Sequence, residues 1–282
     1  MTTTVFLAVI AAAALHATWN ALVKSGSDKV LSMSGIVFGH IPPALLVLTF
    51  LPLPALEAWP YLVASIILHT GYQLFLIASY RTGDLTQVYP IARGSAPIIV
   101  AVVSILFLGV HLAPQEMAAV AMIALGILSL GLVRRSDGTR NPHAAMLALT
   151  TGGFIASYSL IDGLGARVGG APITFYALSG LGNCIVFAVI LAFWRRDVLT
   201  RVLTDGAKTF WIGGIGSFIA YAIVTWAFTQ APIALVTALR ETSIIFALLI
   251  GVFGLRERLD LLKVGATFVV LTGSALIRFA RS

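Results

Sequence analysis

Residues 88–109 read VYPIARGSAPIIVAVVSILFLG and contain one charged side chain, Arg93, near their beginning. A helix needs about 20 mostly apolar residues to cross the hydrocarbon core of a bilayer. This stretch has that length and therefore predicts a transmembrane helix. An arginine inside such a helix is costly unless it faces the protein interior or a polar cavity. The same stretch thus predicts a fold class and a candidate functional residue.

The composition of the whole chain is that of a membrane protein. Of its 282 residues, 59% are hydrophobic and only 10% are charged, and the mean hydropathy is +0.99. A soluble domain carries about 25% charged residues, so a soluble enzyme, a nucleic-acid-binding protein and a disordered chain are excluded. The net charge of +7 indicates loops beside an anionic lipid surface. The single cysteine, Cys184, excludes an intramolecular disulfide and a multi-cysteine metal site, and we expect no cofactor.

Charges and turn residues divide the chain into ten apolar segments joined by short connectors. The first segment follows a start, Met1 to Thr4, that has no Lys or Arg, so we expect a retained helix and not a cleaved signal peptide. The predicted spans are about 4–23, 31–51, 59–80, 88–109, 113–133, 143–161, 172–194, 209–229, 233–255 and 260–278.

An internal repeat relates the two halves of the chain. A shift of 147 positions places Arg93 on Arg240 and Gly126 on Gly273. The repeat predicts two units, 1–138 and 139–282, of five helices each. Because five is odd, the units must lie in opposite orientations, as in many secondary transporters. The predicted fold is therefore an all-α integral membrane protein with ten transmembrane helices in two inverted five-helix repeats.

The basic residues are distributed unevenly among the connectors. Of 18 Lys and Arg, 13 follow the odd-numbered predicted spans. The positive-inside rule places those connectors in the cytoplasm and both termini outside.

Three stretches resemble one transporter family. They are His16 to Lys24, Tyr80 to Gly94, and Gly254 to Leu259 with the helix that follows. Together with the repeat, they resemble EamA-type members of the drug/metabolite transporter superfamily over essentially the whole chain. This resemblance implies a multi-pass carrier of small metabolites in the cell membrane, here a bacterial inner membrane, and often an exporter of amino acids or related compounds. The chain departs from the family at 109–112, where the first repeat lacks the Glu-containing turn. It also departs in the outside termini that its charges predict, because relatives have cytoplasmic termini.

Polar side chains inside the predicted spans are the main functional signal, because such groups are costly in hydrocarbon. In the eighth span, Ser217, Tyr221, Thr225 and Thr229 share one face, and this stripe is better explained by helix packing than by binding. Each mid-span histidine either lines a cavity or makes one interhelical bond. Either histidine could exchange protons during transport. Asp162 is predicted to lie in the turn after the sixth span. The residues predicted to line a central cavity and bind substrate are His16, Trp19, Asn20, His69, Tyr72, Gln73, Arg93, Tyr158, Arg240 and Glu241.

The two repeat-related arginines give the sharpest hypothesis. Both are predicted to face the cavity, with at least Arg93 binding a carboxylate; the alternative is that each side chain reaches the nearer membrane surface. Glu241 would then contact a substrate amine, another helix or a proton.

Backbone features predict breaks and close contacts in the helices. Pro97 and the pair Pro42-Pro43 are expected to free carbonyl groups and kink their helices. The spacing of Gly35 and Gly39 predicts close helix packing, within the chain or in a homodimer.

The predicted function is a secondary active transporter that exports an amino acid or organic acid by alternating access. One alternative is a proton-coupled multidrug or organic-cation exporter of the same superfamily. Another is a membrane-embedded enzyme, although its usual motifs are missing from the sequence, as is the nucleotide-binding Gly-x-x-x-x-Gly-Lys-Ser/Thr pattern. A channel or receptor fits inverted halves poorly.

Overall fold

The computed structural model describes residues 1–82, 85–131, 141–250 and 261–279, and within these ranges the chain is helical and contains no strand. Seven helical segments in this part are long and apolar enough to cross a membrane. They are Thr3–Val23, Lys29–Phe50, Leu56–Thr82, Val88–Leu106, Pro142–Gly169, Pro172–Trp194 and Thr209–Gln230. Two shorter apolar helices are Pro114–Ser129 and Val264–Phe279. The all-α, multi-pass character predicted from the sequence is confirmed at this level.

Thirteen α-helices follow one another along the described chain. A 3-10 turn, Leu56–Ala58, leads into α4, and a π-helical turn, Thr209–Gly214, leads into α10. The helices are α1 Thr3–Ser25, α2 Lys29–Phe38, α3 Ile41–Phe50, α4 Trp59–Thr82, α5 Leu85–Leu106, α6 Pro114–Gly131, α7 Pro142–Gly169, α8 Pro172–Trp194, α9 Arg196–Arg201, α10 Ile215–Gln230, α11 Ile233–Arg240, α12 Ser243–Leu249 and α13 Leu261–Phe279.

The outer surface of the bundle is apolar. Phe193 is 90% exposed and Phe50 is 78% exposed, whereas Arg93, Arg240 and Glu241 are buried. Exposed apolar patches of this kind in a water-soluble chain favour association or aggregation. The distribution is that of a bundle whose outer surface contacts lipid.

Two of the expected helix breaks behave differently. The second span is broken at Gly39 and His40, directly before Pro42 and Pro43 at the start of α3, as their sequence predicts. The fourth span stays helical as α5 although it contains Pro97. A proline removes one backbone hydrogen bond from the helix. Because neighbouring groups can bond the freed carbonyl instead, a membrane helix can continue through a proline.

The sixth and ninth predicted spans require correction. The sixth was predicted to end at about 161, but α7 continues to Gly169 and ends at Gly170, whose φ of 67° suits a glycine cap. Asp162 therefore lies within the helix and not in a turn. The ninth span is interrupted at Glu241 and Thr242, between α11 and α12. Residues 251–260, which hold the predicted Glu-containing turn, and the boundary at 138–139 lie outside the described residues.

Glycines allow the helices that carry the polar side chains to approach closely. A Cβ on Gly39 would meet Phe210 O and lie 2.7 Å from the Cα of Gly214, and one on Gly35 would meet the Thr209 side chain. The predicted Gly35/Gly39 contact is thus made within the chain, against the π-helical turn. Elsewhere α1 packs on α10, α4 on α7, and α6 on α13.

Contacts between the ends of different helices indicate which connectors lie on the same side of the bundle. Asp28 pairs with Arg195, and Asn141 donates a hydrogen bond to Thr82 O, at one end. Ala55 donates to Gly169 O at the other end. This alternation matches the two sides assigned from the sequence, and among the described connectors the first side holds Lys29, Arg195, Arg196, Arg201 and Lys208. Which side faces the cytoplasm stays a prediction.

The pair between Asp28 and Arg195 belongs to a small charged network at the basic end. Partial burial favours the neutral acid of Asp28, but hydrogen bonds from the Leu31 amide and from Arg195 outweigh it, so its pKa lies below the ordinary value. The Arg195 hydrogen bonds lower the pKa of Asp197 to about 2. The network joins the loop after α1 to α9 and depends on both acids being ionised.

We expect Gly39→Ala to lower the stability of the purified protein by about 1–3 kcal/mol, because the new methyl group meets rigid backbone. Gly216→Ala is the matched control: it is also helical, and a Cβ there has nothing within 4 Å. It should be neutral or slightly stabilising. Denaturant unfolding in detergent measures both variants, and equal stabilities would contradict the packing assignment.

We expect Asp28→Asn to retain the N-cap of α2 but to lose the ion pair, at a cost of up to about 1 kcal/mol near neutral pH. Because the folded-state pKa of Asp28 is lowered from 3.8, its contribution is complete above that pH and disappears as the pH falls further. Thermal unfolding of wild type and variant should therefore converge on acidification below about pH 4. A difference that persists there would show that the charge of Asp28 is irrelevant.

Candidate functional site

Two buried arginines meet at one buried carboxylate in the centre of the bundle. Arg93 lies on α5, Arg240 is the last residue of α11, and Glu241 begins the interruption that follows. The Nε of Arg93 is 2.7 Å from Oε2 of Glu241, and the Nε of Arg240 is 3.6 Å from its Oε1. Glu241 therefore lies between two guanidinium groups that the sequence repeat relates.

The interrupted helix explains how adjacent residues can share this site. The amides of Glu241 and Thr242 donate to Ala238 O and Leu239 O, so the chain makes 3-10-type bonds here. In a regular α-helix adjacent side chains diverge by about 100°, which the tighter turn alters. The break thus places the Glu241 carboxylate towards α5, which settles its contact as one with another helix.

Neither arginine reaches a membrane surface. Their side chains are 4% and 2% exposed, so the snorkelling alternative is wrong for this structure. The Cζ of Arg240 is 6.0 Å from the ring centre of Tyr158 and 5.8 Å from that of Tyr221. Among the described residues, its Nε and Nη2 find no hydrogen-bond partner. Aromatic faces and one shared carboxylate are its principal compensation.

A second polar cluster contacts the same tyrosine rings. The Nε2 of His69 on α4 is 2.9 Å from Oδ2 of Asp162 on α7, and the Tyr221 hydroxyl donates to the same oxygen at 2.7 Å. His69 stacks on Tyr158 at 4.2 Å, and Tyr176 packs on Tyr221 at 4.8 Å. The two clusters share Tyr158 and Tyr221.

Three residues of this second cluster were missing from the predicted site: Asp162, Tyr176 and Tyr221. Asp162 lies four residues after Tyr158, so the two share a helix face, and that spacing was the available signal. The underestimated length of α7 hid it. The stripe containing Tyr221 was assigned to packing because its other polar members are serine and threonine.

The predicted site residues are only partly brought together. His16 and Tyr158 lie beside Arg240, and Tyr72 packs on Tyr158 at 5.4 Å. His69 belongs to the second cluster, where it pairs with Asp162. The remaining three are used elsewhere: Gln73 donates to Asn183 at 2.8 Å, Asn20 donates to His16 O, and Trp19 packs edge-on against His16. Gln73 and Asn20 therefore stabilise helix contacts or their own helix in this conformation.

The space beside Arg240 is nearly closed in this conformation. A cavity of about 10 Å³ is bounded by His16, Tyr221 and Arg240, which is room for about one water. A larger open pocket of about 450 Å³ lies at the end of α7 and α10 opposite the basic connectors, lined by Arg167 and Trp226. A metabolite can reach the central arginines only after the helices move.

We expect Glu241→Gln to destabilise the protein by about 3–5 kcal/mol, because two buried guanidinium groups lose their shared carboxylate. Arg93→Met should also destabilise it, and the double variant should cost less than the sum of the two by about 0.5–3 kcal/mol. Reversible denaturant unfolding gives these values. Glu57→Gln, at an exposed position, is the control, and additive effects of the two buried changes would contradict the pairing.

Comparison with known proteins supports the fold and leaves the family open. No family model and no curated protein matches the chain. Its structure does match a crystal structure of a protein with a TM-score of 0.79, over 100% of both chains. The two sequences are 18% identical, so this likeness shows a shared helical fold across the full length of both chains and carries no assignment of function.

Proposed function

We propose that this chain is a secondary active transporter of small metabolites, of the EamA type within the drug/metabolite transporter superfamily. It would bind an anionic group of its substrate at Arg240 and Arg93 and work by alternating access. The observation that carries the proposal is the convergence of two repeat-related, buried arginines on one carboxylate beside an interrupted helix. Ionisable groups inside a membrane protein mark substrate or ion pathways by default, and interrupted helices are typical of transporter binding sites.

The packing supports the inverted repeat that this proposal requires. If α1 and α4 in the first half correspond to α7 and α10 in the second, the contact of α1 with α10 is the counterpart of that between α7 and α4. Gly126 on α6 faces Val269 on α13, and its repeat partner Gly273 on α13 faces Ile123 on α6. Counting α6, the α11–α12 pair and α13 with the seven long segments gives the ten spans of the proposal.

The geometry favours Arg240 over Arg93 as the first contact for an anion. Glu241 lies 2.7 Å from Arg93 but 3.6 Å from Arg240, so Arg240 is the less compensated cation. Arg240 also bounds the small central cavity. A substrate carboxylate would bind there when the helices open, and Glu241 would be free to meet a substrate amine. Amino acids and organic acids fit this arrangement.

The organic-cation alternative has one supporting observation. Tyr158, Tyr176 and Tyr221 surround the buried carboxylate of Asp162 and its partner His69, and aromatic rings beside a carboxylate suit a cation. Arg240 already lies against two of these rings, and its charge repels a second cation. The anionic substrate is therefore the favoured proposal, and export across a bacterial inner membrane belongs to the same proposal.

Two experiments test the transporter assignment. A thermal-shift screen of purified protein against the standard L-amino acids, lactate, pyruvate, malate and succinate would identify ligands, since binding to the folded state stabilises it. Uptake and exchange of the same panel into proteoliposomes, followed by mass spectrometry, would then measure transport. Saturable, gradient-dependent movement supports a carrier, while chemical conversion of a panel member without a gradient would indicate an enzyme.

We expect Arg240→Lys and Arg93→Lys to lose transport nearly as completely as the corresponding alanine variants, since lysine cannot reproduce the two-pronged geometry of arginine on a carboxylate. Initial rates in proteoliposomes, normalised to inserted protein, measure this. Arg201→Lys, on the exposed surface, is the control. Full activity with unchanged substrate affinity in both buried-arginine variants would eliminate the anion site.

A further inference from the structure

We infer that His69 and Asp162 form the proton-binding site of this carrier, and that one proton crosses with each monoanionic substrate. This inference rests on the proposed function and goes beyond it by assigning the coupling ion, its site and its stoichiometry. The pair consists of different residues from the two arginines and their carboxylate, with which it shares contacts to the rings of Tyr158 and Tyr221.

The first observation is the incomplete compensation of Asp162. Its side chain is fully buried, and both described partners, His69 and Tyr221, meet the same oxygen, Oδ2. Within the described part of the chain, Oδ1 is buried with no hydrogen-bond partner. A buried carboxylate in this condition is costly as a lone anion. A proton on the adjacent imidazole converts it into an ion pair of zero net charge.

The second observation is the sum of the buried charges. Arg93 and Arg240 are positive and Glu241 and Asp162 are negative, so the set is neutral when His69 is neutral. A proton on His69 raises the sum to one positive charge, and a bound monoanion returns it to zero. Since uncompensated charge is expensive in a membrane interior, the empty carrier and the carrier with both proton and anion are the favoured states for crossing.

The third observation is the direct physical link between the two sites. The Tyr221 hydroxyl binds Asp162 while its ring lies 5.8 Å from Cζ of Arg240, and Tyr158 stacks on His69 while lying 6.0 Å from the same atom. A proton on His69 therefore places a second cation against the two aromatic rings that Arg240 also contacts. Arrival of an anion at Arg240 relieves that repulsion, so each ligand favours the other.

The other polar groups around His69 and Asp162 are less suited to bind the proton. His16 lies beside Arg240 across the small cavity and has no described carboxylate partner, so a proton there would add to the repulsion. The titratable and charged groups that face the His69–Asp162 pair from the packed helices are His40, Tyr72, Tyr158, Tyr176, Tyr221 and Arg240, with His16 beyond the arginine. Of these, none but Arg240 is a permanent charge.

The step conserves protons and breaks no covalent bond in substrate or protein. Water on one side gives a proton to the imidazole, and the imidazole returns it to water on the other side after the helices have moved. A metabolically produced acid can leave with its proton down its own gradient, so the coupling is compatible with export.

The transport test imposes either a pH gradient or a membrane potential on proteoliposomes and follows lactate and pyruvate. A difference of about one pH unit should support about tenfold accumulation of the anion on the more alkaline side. A tenfold concentration ratio and one pH unit each correspond to about 1.4 kcal/mol. A potential set with potassium and valinomycin should have no effect. In Asp162→Asn and His69→Gln the ratio of accumulation with and without the pH gradient should fall to about one, whereas exposed Asp205→Asn should retain the wild-type ratio.

The inference is overturned if accumulation by the wild type does not depend on the pH gradient. It is also overturned if both variants still show about tenfold greater accumulation with the pH gradient than without it. If the wild type exchanges compounds of the panel without any response to pH, the transporter assignment is supported and only the proton site is contradicted.

A second measurement uses protons alone and needs no substrate. The protein has five histidines, and ¹⁵N-histidine labelling with His69→Gln identifies the ring signals of His69. We expect the His69 ring to gain a second proton on acidification, and its signals to respond differently in Asp162→Asn, which removes the carboxylate 2.9 Å from its Nε2. Asp205→Asn should leave the signal unchanged. A His69 ring that holds one proton at every pH at which the protein is folded overturns the inference, whether or not transport is detected.

Discussion

The position of the Glu241 carboxylate between Arg93 and Arg240 is the constraint on which the centre of this molecule depends. Ions can be held in a low-dielectric interior only if opposite charges and polar groups compensate them. The Glu241 carboxylate balances part of the positive charge of the two guanidinium groups, whose Nε atoms lie 2.7 and 3.6 Å from its oxygens. The rings of Tyr89, Tyr158 and Tyr221 add cation–π contacts to these guanidinium groups. This partial compensation leaves the two arginines with capacity for the further anion proposed above.

The backbone around the charges is adapted to the same constraint. The 3-10-type turn at Glu241 and Thr242 aims the carboxylate across to α5. Gly39 and Gly214 let the broken second span approach the π-helical turn before α10 until their backbones nearly touch. Irregular backbone at membrane depth is tolerated where protein buries it. Glu241, Thr242 and Gly39 are buried, as are Gly213 and Gly214 of the π-helical turn, whereas Trp211 and Ile212 of that turn are exposed. Helix breaks and small residues therefore occur where helices must meet the polar centre, and the lipid-facing surface stays apolar.

The closed centre has consequences for how such a protein works. Space for about one water beside Arg240 means that no metabolite occupies this conformation. If the protein is the carrier proposed above, another conformation must expose the two arginines. The packed pairs α1 with α10 and α4 with α7 are the contacts that such an opening would disturb. The ion pair of Asp28 with Arg195 spans the basic end and must break if the bundle opens there. The pocket beside Arg167 already lies open at the opposite end.

The sequence by itself determined the helical membrane class and the positions of most apolar segments, because hydropathy and length are local properties of the chain. It also singled out Arg93, Arg240 and Glu241, since charge inside an apolar run is visible without a structure. Only the tertiary structure decided which groups meet. The contacts of Glu241 with Arg93 and of Asp162 with His69 join residues on different helices, and they depend on rotations and depths that local patterns do not contain. The same holds for Gln73, whose buried amide pairs with Asn183 on α8 and not with the central charges. Polarity in the sequence marks residues that need a partner in the membrane, and the packing of distant helices selects that partner.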